Sequence, residues 1–194
     1  MNLLWCKKCL LPNTRPNLII ENNGNCSACN NFTKKKKINW KKRKQEFIRL
    51  VKTIKDKKLR YDCVIPVSGG KDSTWQTIKC LEYGLNPLAV TWKAPQRTKV
   101  GEDNLKNLIS LGVDHIDWTI NPKIEKKLTL ESFKKFGSVA IPMHLAIFNI
   151  PVLIASHFKI PYVIWGENSA VEYGNLNKKE NEKNLTKKWF KNYG

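Results

Sequence analysis

Six adjacent residues have side chains and backbone freedom suited to binding phosphate: Ser68, Gly69, Gly70, Lys71, Asp72 and Ser73. Two glycines let the backbone turn tightly and point successive N–H groups at an anion, and a helix that begins near Asp72 adds the positive end of its dipole. Lys71 supplies a positive charge, the two serine hydroxyls can donate hydrogen bonds, and Asp72 can bind Mg²⁺. We therefore predict that the six residues bind pyrophosphate and that Lys71 and Asp72 are catalytic.

The spacing of these residues excludes the phosphate loop of kinases and GTPases, which requires Gly-x-x-x-x-Gly-Lys-Ser/Thr. Ile65 stands where the first glycine of that motif should be, and Asp72 follows the lysine. The six-residue string instead resembles the SGGKDS motif of the PP-loop ATP pyrophosphatases. Members of that superfamily adenylate an oxygen atom, release pyrophosphate and let a nitrogen or sulfur nucleophile displace AMP. The simpler alternative is a structural Gly-Gly turn that precedes a helix.

From Asp62 onwards, short apolar runs alternate with amphipathic segments, which is typical of an α/β fold with a parallel, Rossmann-like sheet. The predicted strands are 62–67, 87–92, 115–120 and 160–165. The predicted helices are 73–83, 102–111, 123–136 and 142–158. In such sheets ligands bind beyond the carboxyl ends of the strands, so the six-residue loop and the turn after 160–165 should face one site.

The turn after the last predicted strand carries a second group of candidate site residues. Glu167 can hold Mg²⁺, Asn168 can bind substrate or nucleotide, and Glu172 follows close behind. His144, near the start of an apolar helix, can donate a hydrogen bond to a substrate. The alternatives are structural: Asn168 or Ser169 can cap a helix, and His144 can be a partly buried residue whose hydrogen bonds are satisfied.

Four of the six cysteines form two Cys-x-x-Cys pairs with sixteen residues between them: Cys6 with Cys9, and Cys26 with Cys29. This spacing matches a four-thiolate zinc site. Four cysteines leave no open coordination position, so we predict a structural Zn²⁺ in a zinc-ribbon-like module over residues 1–33. Redox-active or unrelated thiols are the alternative. Cys63 and Cys80 lie inside a predicted strand and a predicted helix, where small core residues are expected.

Residues 34–60 are strongly basic, with fourteen lysines and arginines against only Glu46 and Asp56. Apolar residues from Trp40 to Ile54 recur near helical spacing, which predicts an amphipathic basic helix or linker. In one interpretation the cationic face of this helix is solvated and its apolar stripe packs on the main domain. In the other, the cationic face binds an anion or nucleic acid. The net charge of +19 favours anionic partners in general, but lysine is abundant along the whole chain, so charge alone argues weakly for nucleic acid.

Composition also limits the class of protein. An apolar content of 41% is enough for a hydrophobic core. The first nine residues lack the apolar segment of a secretory signal. The apolar run 145–155 contains Asn149 and Pro151 and is too short to span a bilayer. We therefore predict a cytoplasmic protein without a transmembrane segment, whose thiols stay reduced.

Several segments, taken in order, resemble the N-acetyl sugar amidotransferases, bacterial PP-loop enzymes of lipopolysaccharide, O-antigen and flagellin-glycan biosynthesis. The matching segments cover nearly the whole chain: 6–16, 26–32, 61–73, 84–92, 115–119 and 165–168. The resemblance implies an adenine nucleotide alpha hydrolase-like fold and a reaction that needs ATP and Mg²⁺. In that reaction the acetamido oxygen of a sugar, such as a pseudaminic acid precursor, is adenylated. Ammonia then displaces AMP and leaves an acetamidino group.

The resemblance also implies partner proteins, because no glutaminase nucleophile is visible in the chain. Met1 is not a cysteine, and neither Cys63 nor Cys80 is expected on an exposed elbow. A separate pair resembling the glutaminase and cyclase of histidine biosynthesis would supply the ammonia. Family members are considerably longer. We therefore expect the PP-loop ATP-binding domain at 61–175, a polar tail at 176–194 that begins a missing carboxyl-terminal region, and weak or no activity from this chain alone.

Two other functions remain open from the sequence. The first is a tRNA-modifying PP-loop enzyme of the thiolation type, in which the zinc ribbon and basic helix contact RNA. Sulfur transfer usually needs a reactive cysteine or a cluster-holding pair near the phosphate loop, and none is visible. The second is a non-catalytic nucleic-acid-binding remnant, for which salt-dependent RNA binding without AMP release would be diagnostic.

Overall fold

A computed structural model gives the structure of the protein and describes residues 2–15 and 18–167. The chain separates into two compact units. One contains the amino-terminal segment up to Lys44, together with Glu167, the last described residue. The other runs from Gln45 to Gly166 and contains the sheet. The two units are described separately below.

The second unit contains a parallel three-stranded sheet of order β1-β2-β3. The strands are β1 (Cys63–Pro66), β2 (Pro87–Trp92) and β3 (Asp114–Trp118). The helices of the described chain are α1 (Ser27–Lys35), α2 (Trp40–Lys55), α3 (Lys71–Glu82), α4 (Lys99–Ile109), α5 (Pro122–Phe136) and α6 (Ala140–His157). A helix follows each strand, as parallel pairing requires. The predicted α/β class with a parallel sheet is confirmed.

Helices cover both faces of the sheet. Successive strand residues point to opposite faces, so the continuous apolar runs of β1 and β2 feed two cores. One core joins β1 and β2 to α2 and α4, and includes Cys63, Ile65, Ala89, Val51, Ile54, Leu105 and Leu108. The other joins the same strands to α6, and includes Val64, Leu88, Val90, Ala146, Ile150 and Ile154. Because both faces are packed, the carboxyl edge of the sheet is where a ligand can reach the strands.

The predicted fourth strand, 160–165, is only partly formed. Val163 makes an isolated parallel bridge with Val64. The Val64 N–H donates to the Tyr162 carbonyl and the Ile164 N–H donates to the Val64 carbonyl, both at 2.9 Å. The prediction of a full strand was therefore wrong in extent, because only these two hydrogen bonds join the segment to β1. The segment lies parallel to β1, on the side away from β2.

The basic region 34–60 is not one helix. α1 ends at Lys35, and α2 begins at Trp40. Asn39 accounts for the new start, because its side-chain oxygen accepts a hydrogen bond from the Lys42 N–H at 2.9 Å, which is an N-cap interaction. Within α2 the predicted apolar stripe is buried only in part: Val51 and Ile54 lie in the core beside the sheet, whereas Trp40 and Ile48 are exposed.

α6 is the one helix of the described chain that is long and apolar enough to cross a membrane, with a mean hydropathy of 1.4 over 18 residues. The apolar run at 145–155 is part of this longer helix. Asn149, whose side-chain amide donates to the Leu145 carbonyl (2.8 Å), and Pro151 both lie inside the helix and do not end it. Core helices meet the same criterion of length and composition. α6 packs Ile150 and Ile154 against the sheet, which agrees with a core role.

The packing of α2 leads to a prediction about stability. Ile54 is 1% exposed and Ile48, on the same helix, is 45% exposed. Ile54→Ala should lower the free energy of unfolding by about 2–5 kcal/mol, because it leaves a cavity in the core. Ile48→Ala should change it by less than about 1 kcal/mol. Urea unfolding followed by circular dichroism measures both, and equal effects would contradict the packing of α2 on the sheet.

Candidate functional site

The phosphate-binding loop predicted from the sequence lies between β1 and α3, at the carboxyl edge of the sheet. It is held by its own serines. The Ser73 hydroxyl donates to the Gly70 carbonyl (3.1 Å) and accepts from the Ser68 N–H (3.4 Å). The Ser68 hydroxyl accepts from the Gly70 N–H (3.3 Å). These bonds fix the turn without using the amides at the start of α3.

Gly69 allows the loop to approach α4. Its φ is +79°, which favours glycine, and a Cβ at this position would lie 2.7 Å from the Leu105 backbone nitrogen. No side chain larger than hydrogen fits there unless α4 moves. The loop is therefore packed directly on the backbone of α4, which holds it in one conformation.

The amino terminus of α3 presents free backbone donors. Gly70 is the N-cap and has no side chain to satisfy the first amides of the helix. N–H groups in this position, together with the positive end of the helix dipole, can bind an anion. Lys71 and Asp72, in the first turn, are both exposed. The arrangement is suited to a phosphate group with an associated cation, and the assignment of pyrophosphate and of catalytic roles to these residues stays a prediction.

A hydrogen bond joins α3 to the segment that runs beside β1. The Gln76 side-chain amide donates to the Ile164 carbonyl at 2.7 Å. Gly166, two residues further on, lies close to the same side chain, since a Cβ built on it would be 3.1 Å from Gln76 Oε1. The connection between α3 and the segment beside β1 thus depends on a residue that the sequence analysis did not single out. Its partner is 88 residues away, so only the fold could identify it.

The other predicted site residues are placed as follows. Glu167 is exposed and is the last described residue, while Asn168 and Glu172 lie outside the described residues. His144 is exposed on α6, within its first two turns. In the described part of the chain no hydrogen bond or ion pair connects His144 to the phosphate-binding loop. The functional roles of these four residues therefore stay predictions.

A polar pair that joins the carboxyl end of β2 to the amino-terminal part of β3 was also missed. Thr91 donates its hydroxyl hydrogen to the Val67 carbonyl (2.8 Å), so it must accept the hydrogen bond that links it to His115 Nε2 at 2.9 Å. His115 therefore carries its proton on Nε2. Burial lowers the pKa of His115 below its ordinary value, which keeps the ring neutral at pH 7.

An ion pair fixes the loop that leads into α4. Arg97 binds Asp117 in bidentate fashion, at 2.8 Å and 2.7 Å. The Arg97 guanidinium holds the pKa of the Asp117 carboxyl below its usual value. The pair therefore contributes stability at neutral pH that is lost as the pH falls through the lowered pKa of Asp117. It anchors the start of α4, the helix against which Gly69 packs.

The four amino-terminal cysteines form one cluster. Their Sγ atoms all lie within 4.8 Å of one another. The shortest separations are 3.8 Å for Cys6–Cys29 and 3.6 Å for Cys9–Cys26. A tetrahedral zinc ion with Zn–S bonds of about 2.3 Å would place its sulfur ligands about 3.8 Å apart. The predicted donor set therefore fits Zn²⁺ in number, type and spacing.

The backbone around the cysteines also suits a metal thiolate. Burial raises the pKa of Cys6, but N–H groups of Cys9, Cys26 and Lys8 donate to its sulfur and bring the pKa down to about 6. Burial raises the pKa values of Cys26 and Cys29. The Cys6 sulfur is thus prepared to ionise, whereas Cys26 and Cys29 need a cation nearby to do so.

The fold and the cysteine cluster together define the class of structure: a parallel α/β domain in a chain with an amino-terminal four-cysteine module. Among solved structures, that of NMN synthetase from Francisella tularensis is similar, at 20% sequence identity and a TM-score of 0.50. The alignment covers 67% of this chain and 55% of that one, so this chain spans little more than half the length of the synthetase. At this identity the likeness shows the fold alone, and it confirms the PP-loop fold. No model of a known protein family and no curated protein matches the chain.

The cysteine cluster gives a prediction about metal content. The purified protein should contain one zinc ion per chain, and Cys26→Ser should lower the zinc content, since it removes a buried ligand. Cys80→Ala, which removes a cysteine of the sheet unit, should leave the zinc content unchanged. Elemental analysis measures the zinc content of the two variants and of the parent protein. Equal zinc in Cys26→Ser and the parent protein would exclude this cluster as the metal site.

The close approach of Gly69 to α4 gives a prediction with an internal control. Gly84 has nearly the same φ, +76°, but nothing lies within 4 Å of the position of an added Cβ. Gly84→Ala should cost only the backbone strain, about 1–3 kcal/mol. Gly69→Ala should cost a further 1–3 kcal/mol or so, because the added methyl overlaps the α4 backbone. Equal losses in urea unfolding would show that the loop is not packed as described.

Proposed function

We propose that this protein is an ATP-dependent, AMP-forming amidotransferase that replaces the acetamido oxygen of an N-acetylated sugar with ammonia-derived nitrogen. The product is an acetamidino sugar for a lipopolysaccharide, O-antigen or flagellin glycan. The observation that carries the proposal is the junction of β1 and α3, where the first amides of α3 have no capping side chain, the Ser68 hydroxyl keeps its hydrogen free to donate, and Lys71 is exposed. The resemblance of the ordered sequence segments to the sugar amidotransferases supplies the substrate class.

An amide carbonyl is a poor electrophile, so its oxygen must first become a leaving group. In the proposed reaction the acetamido oxygen attacks the α-phosphorus of ATP, the bond from that phosphorus to the bridging oxygen breaks, and pyrophosphate leaves. Ammonia then adds to the acetamido carbon, and the C–O bond breaks to release AMP. The loop amides and Lys71 bind the departing pyrophosphate, which stabilises the charge that develops on it. Asp72 would hold Mg²⁺, which neutralises phosphate charge when it is bound.

The ammonia must come from a partner protein or from solution. All six cysteines lie in the described residues: four are in the zinc-type cluster, and Cys63 and Cys80 are 0% and 2% exposed. Hydrogen bonding to Cys80, together with burial, raises the pKa of Cys63 far above its ordinary value. Neither cysteine can serve as a glutaminase nucleophile. A separate glutaminase, working with a cyclase-like subunit, is therefore part of the proposal.

The second candidate is tRNA modification, and the exposed cations of α2 favour it. Lys41, Lys42, Lys44, Arg49 and Lys52 lie on the solvent side of that helix. Such a face attracts nucleic acid. Sulfur transfer to tRNA, however, needs an accessible thiol near the phosphate loop, and the two cysteines beside the loop in the sequence are buried in the core. The amidotransferase therefore fits the site better.

The direct test is the substrate dependence of AMP release. The protein is incubated with Mg-ATP in ammonium buffer, with nucleotide-linked N-acetyl sugars or with bulk tRNA. We expect AMP and pyrophosphate only with a sugar, whose mass should show oxygen replaced by NH. AMP release that depends on tRNA would support the second candidate instead. No AMP with either substrate, even after addition of a glutaminase pair, would contradict both.

Two lysines on α3 provide a matched comparison for this assay. Lys71 is exposed at the anion site, whereas Lys79 lies two turns further along the helix and pairs with Glu82 at 2.6 Å. Lys71→Met should lower sugar-dependent AMP release by about 100-fold or more, since it removes a charge that stabilises the leaving pyrophosphate. Lys79→Met should change it less than about threefold, because Lys79 is not placed at the site. Equal rates in the two variants would exclude Lys71 from the reaction.

A further inference from the structure

Gln76 lies one helical turn beyond the phosphate-binding loop. It follows Asp72 by four residues and Ser73 by three, so the three side chains share one face of α3. Side chains on a helix lean towards its amino terminus, which turns Gln76 towards the loop. Gln76 is only 7% exposed, and long polar side chains are seldom buried to this degree unless they are bound to something.

One end of the Gln76 carboxamide has a fixed partner. Its nitrogen is 2.7 Å from the Ile164 carbonyl oxygen. A carbonyl oxygen can only accept a hydrogen bond, so the atom that faces it must be the NH₂ group. The orientation of the amide is therefore determined, and Oε1 points away from Ile164.

The other end of the carboxamide has no partner. Among the described residues no donor binds Gln76 Oε1. No fully enclosed side-chain oxygen or nitrogen of the described part lacks a hydrogen bond, so Oε1 remains open to solvent. It lies beside Gly166, where a Cβ would come within 3.1 Å and partly cover it. A mostly buried side chain thus presents one oriented acceptor to the crevice between α3 and the 162–166 segment.

We propose that Gln76 is a substrate-binding residue whose Oε1 accepts a hydrogen bond from the N–H of the acetamido group. This inference rests on the proposed function. A hydrogen-bond acceptor at the N–H increases the donation of electron density from the amide nitrogen to the carbonyl oxygen. That oxygen is then a better nucleophile towards the α-phosphorus. As the new O–P bond forms and pyrophosphate leaves, the N–H gains positive character, so its hydrogen bond to Gln76 strengthens in the transition state. The proton stays on nitrogen, and no further reactant is needed.

Two substitutions distinguish the hydrogen bond that Oε1 accepts from the one that the Gln76 NH₂ group donates to the Ile164 carbonyl. Gln76→Met has nearly the same size and removes both donor and acceptor. Gln76→Glu removes the donor and keeps an acceptor. The assay is AMP release with Mg-ATP, ammonium and a nucleotide-linked N-acetyl sugar, and it gives kcat/KM for the sugar and KM for ATP. The O-acetyl analogue, in which oxygen replaces the N–H, is tested as an inhibitor of each protein.

We expect Gln76→Met to lower kcat/KM for the sugar by about 10- to 100-fold and to change KM for ATP less than about twofold. Gln76→Glu should lose less of kcat/KM for the sugar than Gln76→Met, because it keeps the acceptor and loses only the hydrogen bond to Ile164. The parent protein and Gln76→Glu should bind the O-acetyl analogue at least tenfold more weakly than the acetamido sugar, and Gln76→Met should lose this preference. If Gln76→Met fails to fold, the comparison of the parent protein with Gln76→Glu still decides.

Three results would overturn the inference while the proposed function stands. They are an unchanged kcat/KM in folded Gln76→Met, a parallel loss for sugar and ATP in both variants, and equal binding of ester and amide by the parent protein. If the parent protein itself releases no AMP with any N-acetyl sugar, the proposed function fails, and this inference fails with it.

Discussion

The contact between Gly69 and the backbone of α4 is the constraint on which the candidate site depends. The amino terminus of a helix binds anions only if the preceding loop leaves the first helix amides free and keeps one conformation. Here the loop turns at a positive φ and comes so close to α4 that a Cβ would lie 2.7 Å from Leu105 N. α4 is in turn anchored at its start by the Arg97–Asp117 pair, which joins it to β3. The position of the loop thus follows from the packing of the sheet unit and from its own two serines.

The strand order explains why the site is a crevice and not a flat edge. β2 lies on one side of β1, and the 162–164 segment lies on the other. The chain leaves β1 towards α3 between them, so the loop opens at the point where neighbouring connections diverge. Gln76 connects α3 to the Ile164 carbonyl across that opening, and Thr91 holds the Val67 carbonyl on the β2 side. Both walls of the crevice therefore involve hydrogen bonds to the backbone of the elements that flank the loop.

Features of this structure were predictable from the sequence where they depend on residues close together in the chain. The turn at 68–73 between a strand and a helix, the alternation of strands and helices, and the clustering of the two cysteine pairs were predicted correctly, because their residue types and spacings act over a few residues. The division of 34–60 into two helices was predictable from Asn39, a good N-cap residue that was overlooked. Gln76, Arg97 and His115 could not be found in this way, since their partners lie 88, 20 and 24 residues away. The extent of pairing beside β1 was likewise a matter of register, which a single sequence does not encode locally.

The central claim is that ATP activates the amide oxygen of a sugar, and an isotope experiment tests it most directly. A nucleotide-linked N-acetyl sugar carrying ¹⁸O in the acetamido carbonyl is incubated with the protein, Mg-ATP and ammonium, and the products are analysed by mass spectrometry. If the acetamido oxygen attacks the α-phosphorus, the ¹⁸O must appear in AMP and be absent from pyrophosphate. AMP without the label, formed while the sugar keeps its ¹⁸O, would contradict the account.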